Sequence, residues 1–246
     1  MIVMSIAGVD PSAGAGVFAD IKTFQAIGVY GYGVITALTS QNPNKVYSIK
    51  AIESEYVEEQ IDAVLDFHDV EFIKTGMLYS TDTIKTIAKK IKEYDLKAIV
   101  DPVMIATAGG NLAKDDLSHD LNKYLLPKAC LTTPNISEAE KLTNMEIKNV
   151  DDAVISSKIL AKKCNTLITG GHLDGLNTLN IDNNVSIYKQ KLLKTDNLHG
   201  TGCNLSSAIT AYLAKGNDLE KACRNSFDYV YKSIKNGKYG TLIADL

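Results

Sequence analysis

The sequence predicts an α/β fold, with a mainly parallel sheet covered by helices on both faces. Three observations predict it. Short apolar runs alternate with amphipathic stretches almost from end to end, and helix-like stretches separate the runs. Polar or glycine-rich pieces follow nearly every run, where an open α/β sheet collects its ligands.

The first strand is read at residues 2–7 (IVMSIA), followed by a helix over 17–28 in which Val17, Ile21, Phe24 and Ile27 share one face. A strand at 34–40 (VITALTS) precedes a helix over 56–67, then a strand at 72–78 (FIKTGML) and a helix over 81–94. Strands at 98–104 (AIVDPVM), 130–135 (CLTTPN) and 165–171 (NTLITGG) continue the pattern. GLNTLNI and VSIYKQKLL flank Asp-Asn-Asn and read as a small edge hairpin. A further helix follows Gly200–Gly202. There Leu205, Ala208, Ile209, Tyr212 and Leu213 recur at helical spacing, and Gly216 stands where a C-terminal cap belongs. No linker, repeat or compositional break divides the chain, so 1–246 reads as a single domain.

A formal net charge of −3 gives no reason to expect nucleic acid or an anionic membrane as partner. Arg224 is the only arginine, so phosphate groups must be met by backbone N–H groups, lysines or a metal. The cysteines Cys130, Cys164, Cys203 and Cys223 lack paired spacing, and the opening apolar run has no charged leader. The chain therefore reads as a reduced, cytoplasmic protein with no membrane span.

The strand-end pieces carry the chemistry. GAGVFA (14–19) mimics a dinucleotide fingerprint, but its distance from Ala7 is too long for the tight turn, and Asp10 and Pro11 intervene. Taken alone, Asp20 reads as a solvated helix residue. Gln41 offers a donor and an acceptor together, which suits the edge of a heterocycle. Asp101 ends an apolar strand, where an acid is awkward for packing. Asn135 and Glu138 resemble a capping box, and a helix start also suits residues that steer hydrated Mg²⁺. Cys203 is read at the first position of its helix, behind a glycine turn where anions bind and the dipole lowers a thiol pKa from its usual ~8.5. Such a thiolate can accept a hydroxyl proton while the N–H groups of Gly202 and its neighbours stabilise a transferring phosphoryl group. The alternative is a buried, inert thiol.

In chain order, SIAGVDPSAGAGVFADIKTFQAIGVYGYGVITALTSQN, KTGML, DPVM, TPNISEAE, GGH and HGTGC resemble the hydroxymethylpyrimidine/phosphomethylpyrimidine kinases of thiamine biosynthesis, members of the ribokinase-like superfamily. The resemblance implies a three-layer α/β/α sandwich and an ATP- and Mg²⁺-dependent enzyme. Its small-molecule substrates would be 4-amino-5-hydroxymethyl-2-methylpyrimidine and then the monophosphate. It implies that Asp20 and Gln41 contact the pyrimidine, with Gly8, Met77 and Val103 lining the pocket. Asp101 and Glu138 would act on Mg²⁺ and phosphate, and Asn135, Thr169 and Gly171 would lie on the nucleotide side. Gly200, Thr201 and Gly202 would form the anion hole, and Cys203 would occupy the position of the superfamily's usual aspartate base. A homodimer is also implied.

Three positions depart from the family pattern. Thr169 stands where lysine is common, Ala108-Gly109-Gly110 replaces Ser-Gly-Asp, and Phe18 replaces a glutamine. The alternatives are a pyridoxine/pyridoxal kinase, which shares HGxGC and the first loop, and a pyrimidine sensor without turnover. Gln41 and Met77 favour the pyrimidine; Asp101, Asn135, Glu138 and Cys203 together favour catalysis.

Overall fold

The computed structural model describes residues 1–106, 110–111 and 117–244. Strand β1 spans Ile2–Val9, α1 Gly16–Ile27, β2 Tyr30–Asn42, β3 Lys45–Ala51 and α2 Ser54–Leu65. Then come β4 Phe72–Thr75, α3 Thr81–Glu93, β5 Lys97–Val100 and the short pair β6 Ile105–Ala106 and β7 Gly110–Asn111. The next segment is α4 Ser118–Asp120, a π turn at Leu121–Leu125, a 3₁₀ turn at Leu126–Lys128 and β8 Ala129–Thr132. The chain continues through α5 Ile136–Thr143, α6 Val150–Leu160, β9 Asn165–Ile168, β10 Leu176–Ile181 and β11 Asn184–Lys189. Helices α7 Thr201–Ala214 and α8 Leu219–Lys235 complete it.

The main sheet has nine strands in the order β11-β10-β9-β8-β5-β4-β1-β2-β3. Its six central strands run parallel, β3 lies antiparallel on one edge, and the β10–β11 hairpin lies on the other. The predicted hairpin is therefore present, turning through Asp182 and Asn183, which both take positive φ. The antiparallel strand β3 on the opposite edge is an addition to the predicted sheet. Half of its side chains face water, so KVYSIKA carries no continuous apolar run.

Strand alternation divides the core into two layers. Val3, Ile99 and Leu131 pack with Phe24 of α1, Leu205 and Ile209 of α7, and Phe227 of α8. Their strand neighbours Met4, Ile73, Ala98 and Val100 turn the other way, onto Val57 and Ile61 of α2 and Ile84 and Ile87 of α3. The result is three layers, helix on sheet on helix. Strand β1 has β2 on one side and β4 on the other, so the direction of strand order reverses at β1 and opens a crevice at its carboxyl end. Among the described residues, no helix is long and apolar enough to cross a membrane. Ala108 and Gly109 lie outside the described residues; Gly110 begins β7.

Candidate active site

The glycine turn feeds α7 as expected, but the helix starts earlier than predicted. Gly200 is the N-cap, with φ of 89°, and Thr201 is the first helical residue, which puts Cys203 third and not first. Asn204 donates to the Gly200 carbonyl at 2.9 Å, closing the first helical turn. That geometry leaves the N–H groups of Gly202 and Cys203 ahead of the helical hydrogen-bond ladder, pointing out of its positive end.

The thiol differs from expectation. Burial pushes Cys203 up to about 12; Lys74 opposes that shift, while Asp101 and Asp20 add to it. The helix dipole acts only within the first turn, and here it is outweighed by the loss of water and two neighbouring acids. Cys203 is a protonated thiol at neutral pH. It donates to Asp101, and the Gly16 N–H reaches its sulfur.

Around it lies a buried charged cluster built from one face of the sheet. Ser5 of β1 and Lys74 of β4 are direct partners in register, and both turn toward α1. Lys74 is fully buried and meets Asp20 Oδ1 at 3.1 Å and Oδ2 at 3.0 Å. Burial draws this ammonium down, but Asp20, Cys203 and Asp101 outweigh it and hold it above its usual range. Ser5 Oγ and Ser207 Oγ also donate to Asp20, at 2.5 and 2.6 Å. Asp20 is thus neither solvated nor open: its oxygens are engaged by protein and it has no exposed surface. In this arrangement Asp20 contacts Lys74, Ser5 and Ser207. Lys74 was not anticipated from the sequence.

Asp101, at the end of β5, is buried, and its carboxyl is pushed up by burial, with Lys74 and the Ser206 hydrogen bond opposing. Ser206 Oγ donates to its Oδ2 at 3.1 Å. Glu138 is pushed up to about 8, first by burial and then by repulsion from Asp101. Asn135 caps α5 and forms the expected capping box with Glu138, each donating a backbone N–H to the other's side chain at 3.0 Å. Asn135 also bridges Thr169 at the end of β9. Asp101, Glu138, Asn135 and Thr169 therefore form one line across the ends of β5, β8 and β9. Gly171 follows in the turn beyond, where an added Cβ would meet no atom within 4 Å.

A second arm runs the other way. Met77 packs with Ala37, and Val103, Ile49 and Tyr79 close around them. Gly8 ends β1 beneath Met77, and any side chain there would collide with the Met77 methyl. Gly8, Met77 and Val103 are thus brought together as an apolar floor. Beside it, Asp10 draws in the loop that follows β1. Its Oδ1 accepts from the Ser12 N–H at 2.8 Å. Its Oδ2 accepts from Ser12 Oγ at 2.8 Å, the Ala15 N–H at 3.0 Å and His199 Nε2 at 2.7 Å. The Gln41 side chain donates to it as well. Burial alone would push this carboxyl up, but His199, Gln41 and Ser12 hold it well below the usual carboxylate range. An ionised carboxylate only accepts, so His199 Nε2 carries the proton of their bond. Asp10 and His199 also escaped the sequence reading, which treated Asp10 only as an obstacle to a dinucleotide turn.

A family model for phosphomethylpyrimidine kinase matches residues 10–242. The chain belongs to that family. It is 38% identical over 240 residues to the hydroxymethylpyrimidine/phosphomethylpyrimidine kinase of Bacillus subtilis, covering 95% of this chain and 89% of the relative. The crystal structure of phosphomethylpyrimidine kinase from Clostridium difficile 630 matches with a TM-score of 0.85 at 38% identity, over 95% of this chain and 99% of that one. Pyridoxal kinase from Staphylococcus aureus, in complex with AMP-PCP and pyridoxal, matches with a TM-score of 0.89 at 29% identity, over 99% and 92%. This phosphomethylpyrimidine kinase family member therefore has the ribokinase-like fold of those neighbours, with its glycine turn, acid line and apolar floor at one end of the sheet.

Proposed function

We propose that the chain is an ATP-dependent kinase that phosphorylates 4-amino-5-hydroxymethyl-2-methylpyrimidine and then its monophosphate, supplying the pyrimidine pyrophosphate for thiamine assembly. The observation that carries this reading is the meeting of Cys203, Asp101 and the Gly200–Gly202 turn between the apolar floor and the line of Glu138, Asn135 and Thr169. The pyrimidine lies on Gly8, Met77 and Val103 with its edge on Gln41. The nucleotide lies toward Asn135, Thr169 and Gly171. Asp20 acts behind them, fixing Lys74. At the Gly200–Gly202 turn the Thr201 N–H is held by the Leu198 carbonyl, and the N–H groups of Gly202 and Cys203 receive charge on the phosphoryl group.

The substrate hydroxyl attacks the terminal phosphorus of ATP, a P–O bond to ADP breaks, and the hydroxyl proton must leave. Because the resting thiol is protonated, Cys203 works as a relay: its sulfur takes the hydroxyl proton as the S–H proton passes to Asp101. The raised affinity of Asp101 for protons suits it to receive one. For Mg²⁺ the fit is good. Asp101 and Glu138 are neighbouring buried carboxyls that repel each other. Two carboxyls with water and phosphate oxygens are the usual company of Mg²⁺. When bound, it supplies charge neutralisation on the phosphates. We further propose a cytoplasmic homodimer of single-domain protomers, a reading supported by exposed Leu38 and Tyr47 on β2 and β3 at the sheet's open edge.

ADP release measured with hydroxymethylpyrimidine, its monophosphate and pyridoxal tests the function. Turnover with both pyrimidines that stops in excess chelator is expected. Turnover with pyridoxal alone would move the chain to the neighbouring activity, and none with any substrate would make it a sensor.

A further inference from the structure

The two ends of a glutamine amide have nearly the same shape and opposite chemistry, so what Gln41 reads depends on which end faces the ligand. The surroundings of Gln41 settle that. Thr39 Oγ1 donates to the Val9 carbonyl at 2.8 Å, tying the end of β2 to the end of β1. A register shift between Ser40 and Gln41 then breaks the strand's alternation. At this irregularity the Gln41 side chain hydrogen-bonds to Asp10. Asp10 is about as closely held as a carboxylate can be, with the Ser12 and Ala15 N–H groups, Ser12 Oγ and His199 Nε2 all donating to it. It is 1% exposed, so no ligand reaches it directly. An ionised carboxylate accepts hydrogen bonds and cannot donate them. Gln41 must therefore turn its NH₂ toward Asp10, which leaves Oε1 as the polar end for the crevice. Among the described residues no other protein hydrogen bond engages the Gln41 side chain.

We propose that Asp10, anchored by His199, is a positioning residue for substrate specificity: it fixes the Gln41 amide so that the pocket edge presents a carbonyl acceptor. Such an edge selects a heterocycle carrying an exocyclic amino donor and rejects one with an oxo or phenolate oxygen at the same place. This rests on the reading that Gln41 faces the pyrimidine. Asparagine at position 10 would remove the constraint, because its own amide can present either end and Gln41 could then turn over.

The test compares kcat/KM for the aminopyrimidine and for its deaminated 4-oxo analogue in wild type, Asp10→Asn, Gln41→Met and the double variant. The amino preference should fall by roughly 10- to 100-fold in Asp10→Asn, the effect of mismatching one buried hydrogen bond. In the Gln41→Met background, Asp10→Asn should leave the ratio unchanged. A merely structural Asp10 would depress both substrates equally and do so in either background, which overturns the proposal. Retained amino preference in Gln41→Met overturns the underlying reading of Gln41. Lost preference in Gln41→Met with an intact ratio in Asp10→Asn overturns the Asp10 proposal alone. If Asp10→Asn does not fold, hydrogen exchange of the Gln41 side-chain NH₂, followed by NMR on the wild type, gives the second reading: protected protons support the proposal, and freely exchanging ones refute it.

Discussion

Cys203 is a residue whose charge state depends on what packs over it. With its thiol half-buried and bonded to Asp101, Cys203→Ala should lower kcat by roughly 10²–10⁴, the usual contribution of a positioned proton-transfer group. KM for the pyrimidine should change little, and Cys203→Asp should recover part of the rate; steady-state kinetics on both variants check this. Wild-type turnover in the alanine variant would remove the thiol from the mechanism. Glu138 allows a stability test. Its folded-state carboxyl binds its proton up to about 8, against 4.5 for an unburied glutamate, so the folded chain holds a proton the unfolded chain has lost. Stability conferred in the low range is then progressively lost as pH rises through that window. Glutamine keeps the capping-box hydrogen bond but cannot ionise. Without Mg²⁺, Glu138→Gln should match wild type in melting temperature at about pH 4 and exceed it by several degrees above about pH 8. A gap that does not vary with pH would contradict this. These acids and the thiol were legible because each polar group ends an apolar run. Lys74 was not, since a lysine at a strand end reads as solvated, and its partner Asp20 lies 54 residues away. The Asp10–His199 pair spans 189 residues, a distance over which spacing carries no signal. The thiol's direction of shift was missed for a related reason. The dipole belongs to the local chain, whereas desolvation belongs to whatever long-range packing brings over it.

At the scale of elements, the parallel strands and their helices were readable because each is short, apolar and bounded by polar turns. Strand bounds were read unevenly: 2–7 and 34–40 fall short of Ile2–Val9 and Tyr30–Asn42, whereas FIKTGML is strand only over Phe72–Thr75, and its Met77 packs against Ala37. The segment 118–128 went unassigned although Leu117, Leu121 and Leu125 repeat every four residues and are all buried. Its mixture of α, π and 3₁₀ turns, with Pro127 near the end, has no simple period. The element most exposed to substitution is the turn before α7. Gly200 sits at φ of 89°, and a side chain there would strike the Gly14 carbonyl. Gly200→Ala combines left-handed strain with a backbone collision and should cost roughly 2–4 kcal/mol in urea unfolding. The kinase rate should fall further than stability alone explains, since the N–H groups proposed to meet the phosphoryl charge move with the turn. Unchanged rate and stability would mean that the turn can shift freely against the loop after β1.

At the scale of the molecule, the three layers share their strands. Val3 and Met4 are sequence neighbours in opposite cores, so neither helical layer can melt without exposing the other face of β1. Calorimetry on the full chain should therefore give one transition with matching calorimetric and van't Hoff enthalpies. Two resolved transitions would divide the chain into separate units.

The position of α7 has a consequence for how the chain is made. Strand β1, the first to be synthesised, lies well inside the finished sheet, with β4 and β2 on either side of it. The helix that covers the shared face of β1, β4 and β5 begins only at Thr201. On the ribosome, the Lys74 ammonium and the Asp101 carboxyl must wait, open to water, while about half the chain is still being translated. Of the groups that surround Lys74, Ser5 and Asp20 are made before it, whereas Ser207 arrives only with α7. Asp101 has Lys74 as an early charge partner, but its hydrogen-bond partners Ser206 and Cys203 arrive with the helix itself. Completion of the site therefore waits for α7, the next-to-last helix to be made.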